Sequence, residues 1–241
     1  MWRWECQKKS RYSASLLSSS FIVILMMLPI AAHGELECRA ATWACVGDNK
    51  VNIDVNVSGE GSCQGTGEVD FPNKGFGFGL AYWFPRAPVL GVGLDFVSSV
   101  DHGHTMEFLA VDICMLFRLQ FGQNSAFPHG RIVPYLGVGV GAQKLSGPVN
   151  IPSKVDSSNE VGVELQSSGL VLKAGLEWMI LRWMAIYVEG RYMSGTMEGQ
   201  KKATMVVPGG WFGPVEATTS CADAVAKFSK VQLVLGIALH I

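Results

Sequence analysis

A chain of 241 residues is long enough for one domain with a sizeable core, and it fits a single all-β barrel without a second domain. It is greasy and rich in glycine: 49% of the residues are hydrophobic, 16% are charged, and 28 are Gly. Residues 35–241 carry four more acidic than basic side chains and no basic cluster, which excludes a nucleic-acid binder.

Residues 1–34 have the pattern of an export signal. Arg3, Lys8, Lys9 and Arg11 form a basic start, Phe21 to Ala32 an apolar run interrupted by Pro29, and Ala32-His33-Gly34 a small-residue end suited to cleavage. The run is too short for a spanning helix, which needs about 20 residues. Residues 35–48, with Cys38 and Cys45, read as a short irregular periplasmic segment, and 49–241 as the barrel.

Strands follow as stretches of period two. Lys50 to Val57 alternates Val51, Ile53, Val55 and Val57 with Asn52, Asp54 and Asn56, and a Gly- and Ser-rich loop follows to Asn73. Lys74 to Phe84 and Val89 to Val97 come next, joined by a tight turn at Pro85 to Pro88. Thr105 to Gln120 sets Leu109, Val111, Ile113, Met115 and Phe117 against Ala110, Asp112, Cys114, Leu116 and Arg118. In the fifth strand Leu136, Val138 and Val140 oppose Tyr135, Gly137, Gly139 and Gly141.

The stretch Gly169 to Gly195 makes a hairpin of the sixth and seventh strands. One face is apolar throughout; the other holds Lys173, Glu177, Glu189 and Arg191. Ser229 to Ile241 is the eighth. Eight strands can close into an up-and-down barrel.

Such a barrel either turns its apolar face to a core or turns it to lipid around a filled lumen. Two features favour lipid. The odd-numbered connections run about 16, 7, 23 and 33 residues against about 4, 10 and 3 for the even ones, the outer-membrane pattern of long loops at one end and short turns at the other. Tyr82, Trp83, Phe84, Phe117, Trp178 and Trp183 gather at the short-turn end, as an interfacial girdle would. The glycine columns 75/77/79, 91/93 and 137/139/141 make room on the lumen face, and as Gly-x-Gly runs with no helix following they are not phosphate loops.

Val133-Pro134-Tyr135-Leu136-Gly137-Val138-Gly139-Val140-Gly141, Gly175-Leu176-Glu177-Trp178 and Val188-Glu189-Gly190-Arg191-Tyr192 resemble the outer-membrane β-barrel family of OmpA/OmpX-like proteins. The resemblance covers about residues 74–241 and its motifs specify fold rather than function. It implies an eight-stranded antiparallel transmembrane β-barrel, monomeric, with outer-membrane lipid and the barrel-assembly machinery as partners. Members typically end in an aromatic residue; this chain ends in Ile241.

Asp95, Asp112, Arg118, Lys173, Glu177, Glu189, Arg191 and His240 fall on the lumen face and require partners there. They form either a salt-bridged plug or a narrow conduit for small solutes. Cysteine usage fits an oxidising compartment. Cys63 and Cys221 sit in the first and last outside loops, which barrel closure brings together, so a Cys63–Cys221 disulfide is expected; Cys38 and Cys45 could close a local ring, leaving Cys114 unpaired. Asp101-His102-Gly103-His104 is a weak metal motif at a loop tip.

No metal or other cofactor is assigned, and no catalysis is expected. The reading is an outer-membrane barrel of a Gram-negative cell with a structural or surface-interaction role, its extracellular ligand unknown. A solute channel is the alternative class, a lipid A-modifying barrel enzyme the next, and a soluble lipocalin-like barrel a further architecture.

Overall fold

The computed structural model of the chain describes residues 34–47, 50–57, 63–99, 106–151, 159–207 and 215–241; of the expected export signal only Gly34 falls among them. The strands are β1 (Glu35–Val46), β2 (Lys50–Val57), β3 (Cys63–Asp70), β4 (Lys74–Phe84), β5 (Ala87–Ser99), β6 (Glu107–Arg118), β7 (Ile132–Ile151), β8 (Asn159–Leu181), β9 (Met184–Val207) and β10 (Val215–His240). Every pairing is antiparallel, in the order β1-β4-β5-β6-β7-β8-β9-β10, and β1 also pairs with β10. Those eight strands close the barrel.

The membership of the wall differs from the sequence expectation at one strand. Residues 35–48 are not an irregular segment: Glu35–Val46 is β1, with Glu37, Arg39, Ala41, Trp43 and Cys45 turned inward and Leu36, Cys38, Ala40, Thr42, Ala44 and Val46 outward. Lys50–Val57, expected as the first wall strand, pairs with β3 and with the far end of β10, as a hairpin above the wall. The hairpin's β3 lies against β7.

Wall height is uneven. β4, β5 and β6 are 11, 13 and 12 residues long, about what a tilted strand needs to cross a membrane. β7 to β10 run 20, 23, 24 and 26 residues, so they extend well beyond the hydrocarbon layer at the long-loop end.

The hydrophobic pattern shows where that layer stops. On β10 the outward residues Val231, Leu233, Leu235, Ile237, Leu239 and Ile241 are exposed and apolar, while Lys227 and Ser229 lie beyond them. On β8 the belt runs from Ile180 back to Leu170 and ends at Ser168 and Gln166; on β6 it ends at Glu107. At the same level the lumen changes in the opposite sense. Below it lie buried charges; above it lie Met106, Phe108, Leu145, Leu165, Met193, Met197 and Phe228, with Ile53 and Phe71 from the hairpin region. Phe71, Phe108 and Phe228 pack against one another with centroids 4.8–6.0 Å apart.

A wall that is apolar outside and charged inside for one membrane thickness, then polar outside and apolar inside, is what lipid below and water above require. It is incompatible with a soluble lipocalin-like barrel, whose exposed belt of Leu, Ile and Val would face water.

Candidate functional site

The site is built upward from the short-turn end. The inward positions of six wall strands deliver charges that alternate with small residues, and the glycine columns supply the volume: a Cβ on Gly79 would lie 2.3 Å from Asp95 Oδ1, and one on Gly141 2.2 Å from Asp112 Oδ1. Large inward rings use the same device. Trp43, Trp83, Tyr135 and Tyr187 each lie over the glycine directly opposite on the next strand, Gly75, Gly91, Gly175 and Gly236 respectively.

All eight of the sequence-expected lumen charges come together in one buried network. In its upper half Lys173 pairs with Asp95 and faces Asp112 at 3.9 Å, and Arg191 faces Asp95 at 3.6 Å and Asp112 at 3.3 Å. Arg191 also donates from Nε and Nη2 to Glu189 Oε1, at 3.0 and 2.9 Å. In the lower half Arg118 pairs with Glu35, and His240 Nδ1 donates to Glu35 Oε1 at 2.7 Å.

The centre of the network was not foreseen. Arg39 pairs with Glu37, donates from Nη2 to Glu177 Oε1 at 2.6 Å, and faces Glu189 at 3.8 Å. Its guanidinium lies 4.6 Å from the Tyr135 ring centroid and 5.3 Å from that of Tyr187, and the Tyr135 hydroxyl donates to Glu189 Oε2 at 2.8 Å. Glu35, Glu37 and Arg39 belong to β1, where Ala, Cys and Thr on the lipid face weaken the hydrophobic signal. The alternation Glu37, Arg39, Ala41, Trp43 was the signal that could have found them.

Not every expected interfacial aromatic is at the interface. Phe117, Trp178 and Trp183 face lipid, Trp178 with 58% of its surface exposed. Trp83 is a correction: it is 1% exposed and points into the lumen, where its Nε1 donates to Glu37 Oε2 at 2.8 Å and Arg118 lies 4.1 Å over its ring. Its position two residues beyond Ala81 and four beyond Gly79 on the inward face dictates this. Tyr82 faces outward but is buried with Gly34 against its ring, and half-buried Phe84 packs edge-on to it at 5.7 Å.

The connection between β6 and β7 closes the short-turn end. Asn124 Oδ1 accepts from the backbone N–H groups of Ala126 and Phe127, and Gly130, at φ +93°, turns the chain back with Phe121 O only 3.0 Å from where a Cβ would be. The turn places His129 Nδ1 2.9 Å from Glu35 Oε2, its ring stacked 6.0 Å from that of His240.

A Cys38–Cys45 ring, left open by the sequence, does not form. Both thiols are free, seven positions apart on one extended strand and on opposite faces, about 23 Å at strand rise against a bridging limit near 7 Å. Cys114 is free and buried. The Cys63 and Cys221 side chains lie outside the described residues; the backbone puts β2 between them, Cys63 opposite Val57 and Val57 opposite Ala222. Residues 101–104, the His-Gly-His motif, lie outside them as well.

No family model and no curated relative matches the chain. Among solved structures it is similar to the outer membrane protein OprG from Pseudomonas aeruginosa, at 16% identity over 86% of this chain and 96% of that one, with a TM-score of 0.54. The N-terminal β-barrel domain of OprF from the same organism matches at 11% identity over 86% and 99%, TM-score 0.47. Neisserial surface protein A matches at 12% over 86% and 98%, TM-score 0.41. The OprG likeness shows the fold, a closed antiparallel barrel of the outer-membrane type.

Proposed function

We propose that this chain is a non-conducting barrel of the Gram-negative outer membrane whose role is structural or interactive at the cell surface. The observation that carries the reading is the filled lumen. A hydrated solute crossing it would have to separate Arg39 and Arg191 from five carboxylates and then pass the Phe71–Phe108–Phe228 cluster. Eight strands leave an interior that side chains just fill. The wall β7 to β10 beyond the lipid belt, with the β2–β3 hairpin docked on it, supplies the surface a partner would meet.

Planar-bilayer recording of the refolded protein, with Glu189→Gln beside it, tests this. Silent bilayers from protein that is folded by its heat-dependent gel mobility are expected. Discrete openings altered by Glu189→Gln would replace the plug with a solute conduit.

A further inference from the structure

We propose that Glu37, Glu177 and His240 form a binding site for one divalent cation of the zinc class at the short-turn end of the lumen. One ligand atom from each of the three lies within 4.8 Å of the other two. Two buried atoms of these side chains have no hydrogen-bond partner: Glu177 Oε2 and His240 Nε2, on side chains 0% and 3% exposed. They face each other at 3.7 Å.

That separation selects among occupants. It is too long for a hydrogen bond. A water bridging both through bonds of about 2.8 Å would hold them about 4.6 Å apart at its tetrahedral angle, so the gap is too narrow for one. Two metal bonds of about 2.0–2.2 Å to an imidazole nitrogen and a carboxylate oxygen span it with an angle near 125°.

The histidine is already oriented for the task. Its Nδ1 lies 2.7 Å from Glu35 Oε1, and in the neutral ring that donates this proton the Nε2 lone pair is free, the carboxylate–histidine arrangement that supports metal ligands. Glu35 is held in turn by Arg118 and His129.

Charge points the same way. By formal charge, six carboxylates of the network (Glu35, Glu37, Asp95, Asp112, Glu177, Glu189) face four cations (Arg39, Arg118, Lys173, Arg191), an excess of two acidic groups. Lys230 stands above the network with its ammonium on the Lys50 carbonyl. In the upper half Asp95, Asp112 and Glu189 face Lys173 and Arg191, and in the lower half Glu35, Glu37 and Glu177 face Arg39 and Arg118, so one negative charge of the excess falls where His240 sits. A divalent cation bound there offsets the excess of the whole network. An imidazole with two carboxylates suits zinc and its borderline neighbours better than calcium or magnesium. Half-exposed His129 marks the way in from the short-turn end.

The test uses full-length refolded barrel carrying His102→Ala and His104→Ala, so that the loop histidines do not contribute, stripped with chelator and titrated with ZnCl2. One equivalent of zinc per chain by elemental analysis is expected, together with a zinc-dependent rise in unfolding temperature. His240→Ala and, separately, Glu177→Gln should weaken binding at least tenfold and abolish the thermal shift, while Glu68→Gln, at an exposed carboxylate of the hairpin, keeps both. Should His240→Ala fail to fold, the near-isosteric Glu177→Gln decides alone. Less than about a fifth of an equivalent in the parent barrel, full binding retained by Glu177→Gln, or loss with Glu68→Gln would overturn the site.

Discussion

Arg39→Met removes the hub of the lower network and leaves a side chain of similar length. In the native barrel the guanidinium serves Glu37, Glu177 at 2.6 Å and Glu189 at 3.8 Å, and stacks between Tyr135 and Tyr187. After the change Glu35, Glu37 and Glu177 face Arg118 alone among the permanent cations of that half, and Glu189 keeps Arg191, inside a wall surrounded by lipid. Removing one partner of a buried ion pair costs about 3–5 kcal/mol, because the other charge stays buried and unpaired. A Coulomb term at 4 Å with an effective dielectric of 20 is about 4 kcal/mol, in the same range. The expected loss is therefore about 4 kcal/mol, read from urea unfolding in phospholipid vesicles with chelator present and followed by tryptophan fluorescence. Adding Glu177→Gln should restore about 1–3 kcal/mol, since it neutralises one of the stranded carboxylates. A loss below about 1 kcal/mol for Arg39→Met, or strictly additive losses in the double variant, would refute the assignment of Arg39 as the hub.

Gly175→Ala brings a Cβ to 2.3 Å from Tyr135 Cζ and must displace the ring that donates to Glu189, at a cost of about 1–3 kcal/mol by thermal unfolding; Gly190→Ala, with nothing nearer than Ala174 O at 3.9 Å, should cost nothing. In single-tryptophan variants, brominated lipid tails should quench Trp178 and Trp183 strongly and leave Trp83 unquenched, and strong quenching of Trp83 would put its ring back at the interface. A non-reduced digest should yield no Cys38–Cys45 peptide even after oxidative refolding, and the same digest decides whether Cys63 and Cys221 are joined across the intervening β2.

The parts of the fold that were legible in the sequence are those where alternation was strong on both faces. β8 and β9 set Leu, Ile, Val and Trp against Lys173, Glu177, Glu189 and Arg191, and the structure places those four charges in the lumen as the period demands. β1 was illegible because its lipid-facing residues are small: Cys38, Ala40, Thr42 and Ala44 scarcely differ in hydropathy from Ala41 and Cys45 behind them. β2 misled for the opposite reason, since Val51 and Ile53 alternate cleanly but fill the apolar storey of the lumen rather than facing lipid. Period two reports which residues share a face; it does not report what that face meets. The strand total of eight came out correctly because one false wall strand replaced one missed wall strand.

The inversion of the pattern has a consequence for how the two storeys depend on each other. Charges inside a narrow barrel remain paired with one another only if bulk water and its ions are kept from solvating them singly. The hairpin residues Val51 and Ile53, with Phe71 just beyond β3, close over Phe108, Phe228 and Met197 on the long-loop side of the network, while among the described residues the opposite end is covered by the turn that carries His129. A cation, proton or water therefore reaches the network from the short-turn side, where Glu35 and His240 are the first groups it meets. Thinning the apolar storey, for example with Phe108→Ala, should then admit water from the other side and weaken the Lys173–Asp95 pair without touching either residue. The measurement is the coupling between Phe108→Ala and Lys173→Met in a double-mutant cycle: a cost for Lys173→Met that is clearly smaller in the Phe108→Ala background supports the seal, and equal costs in both backgrounds reject it.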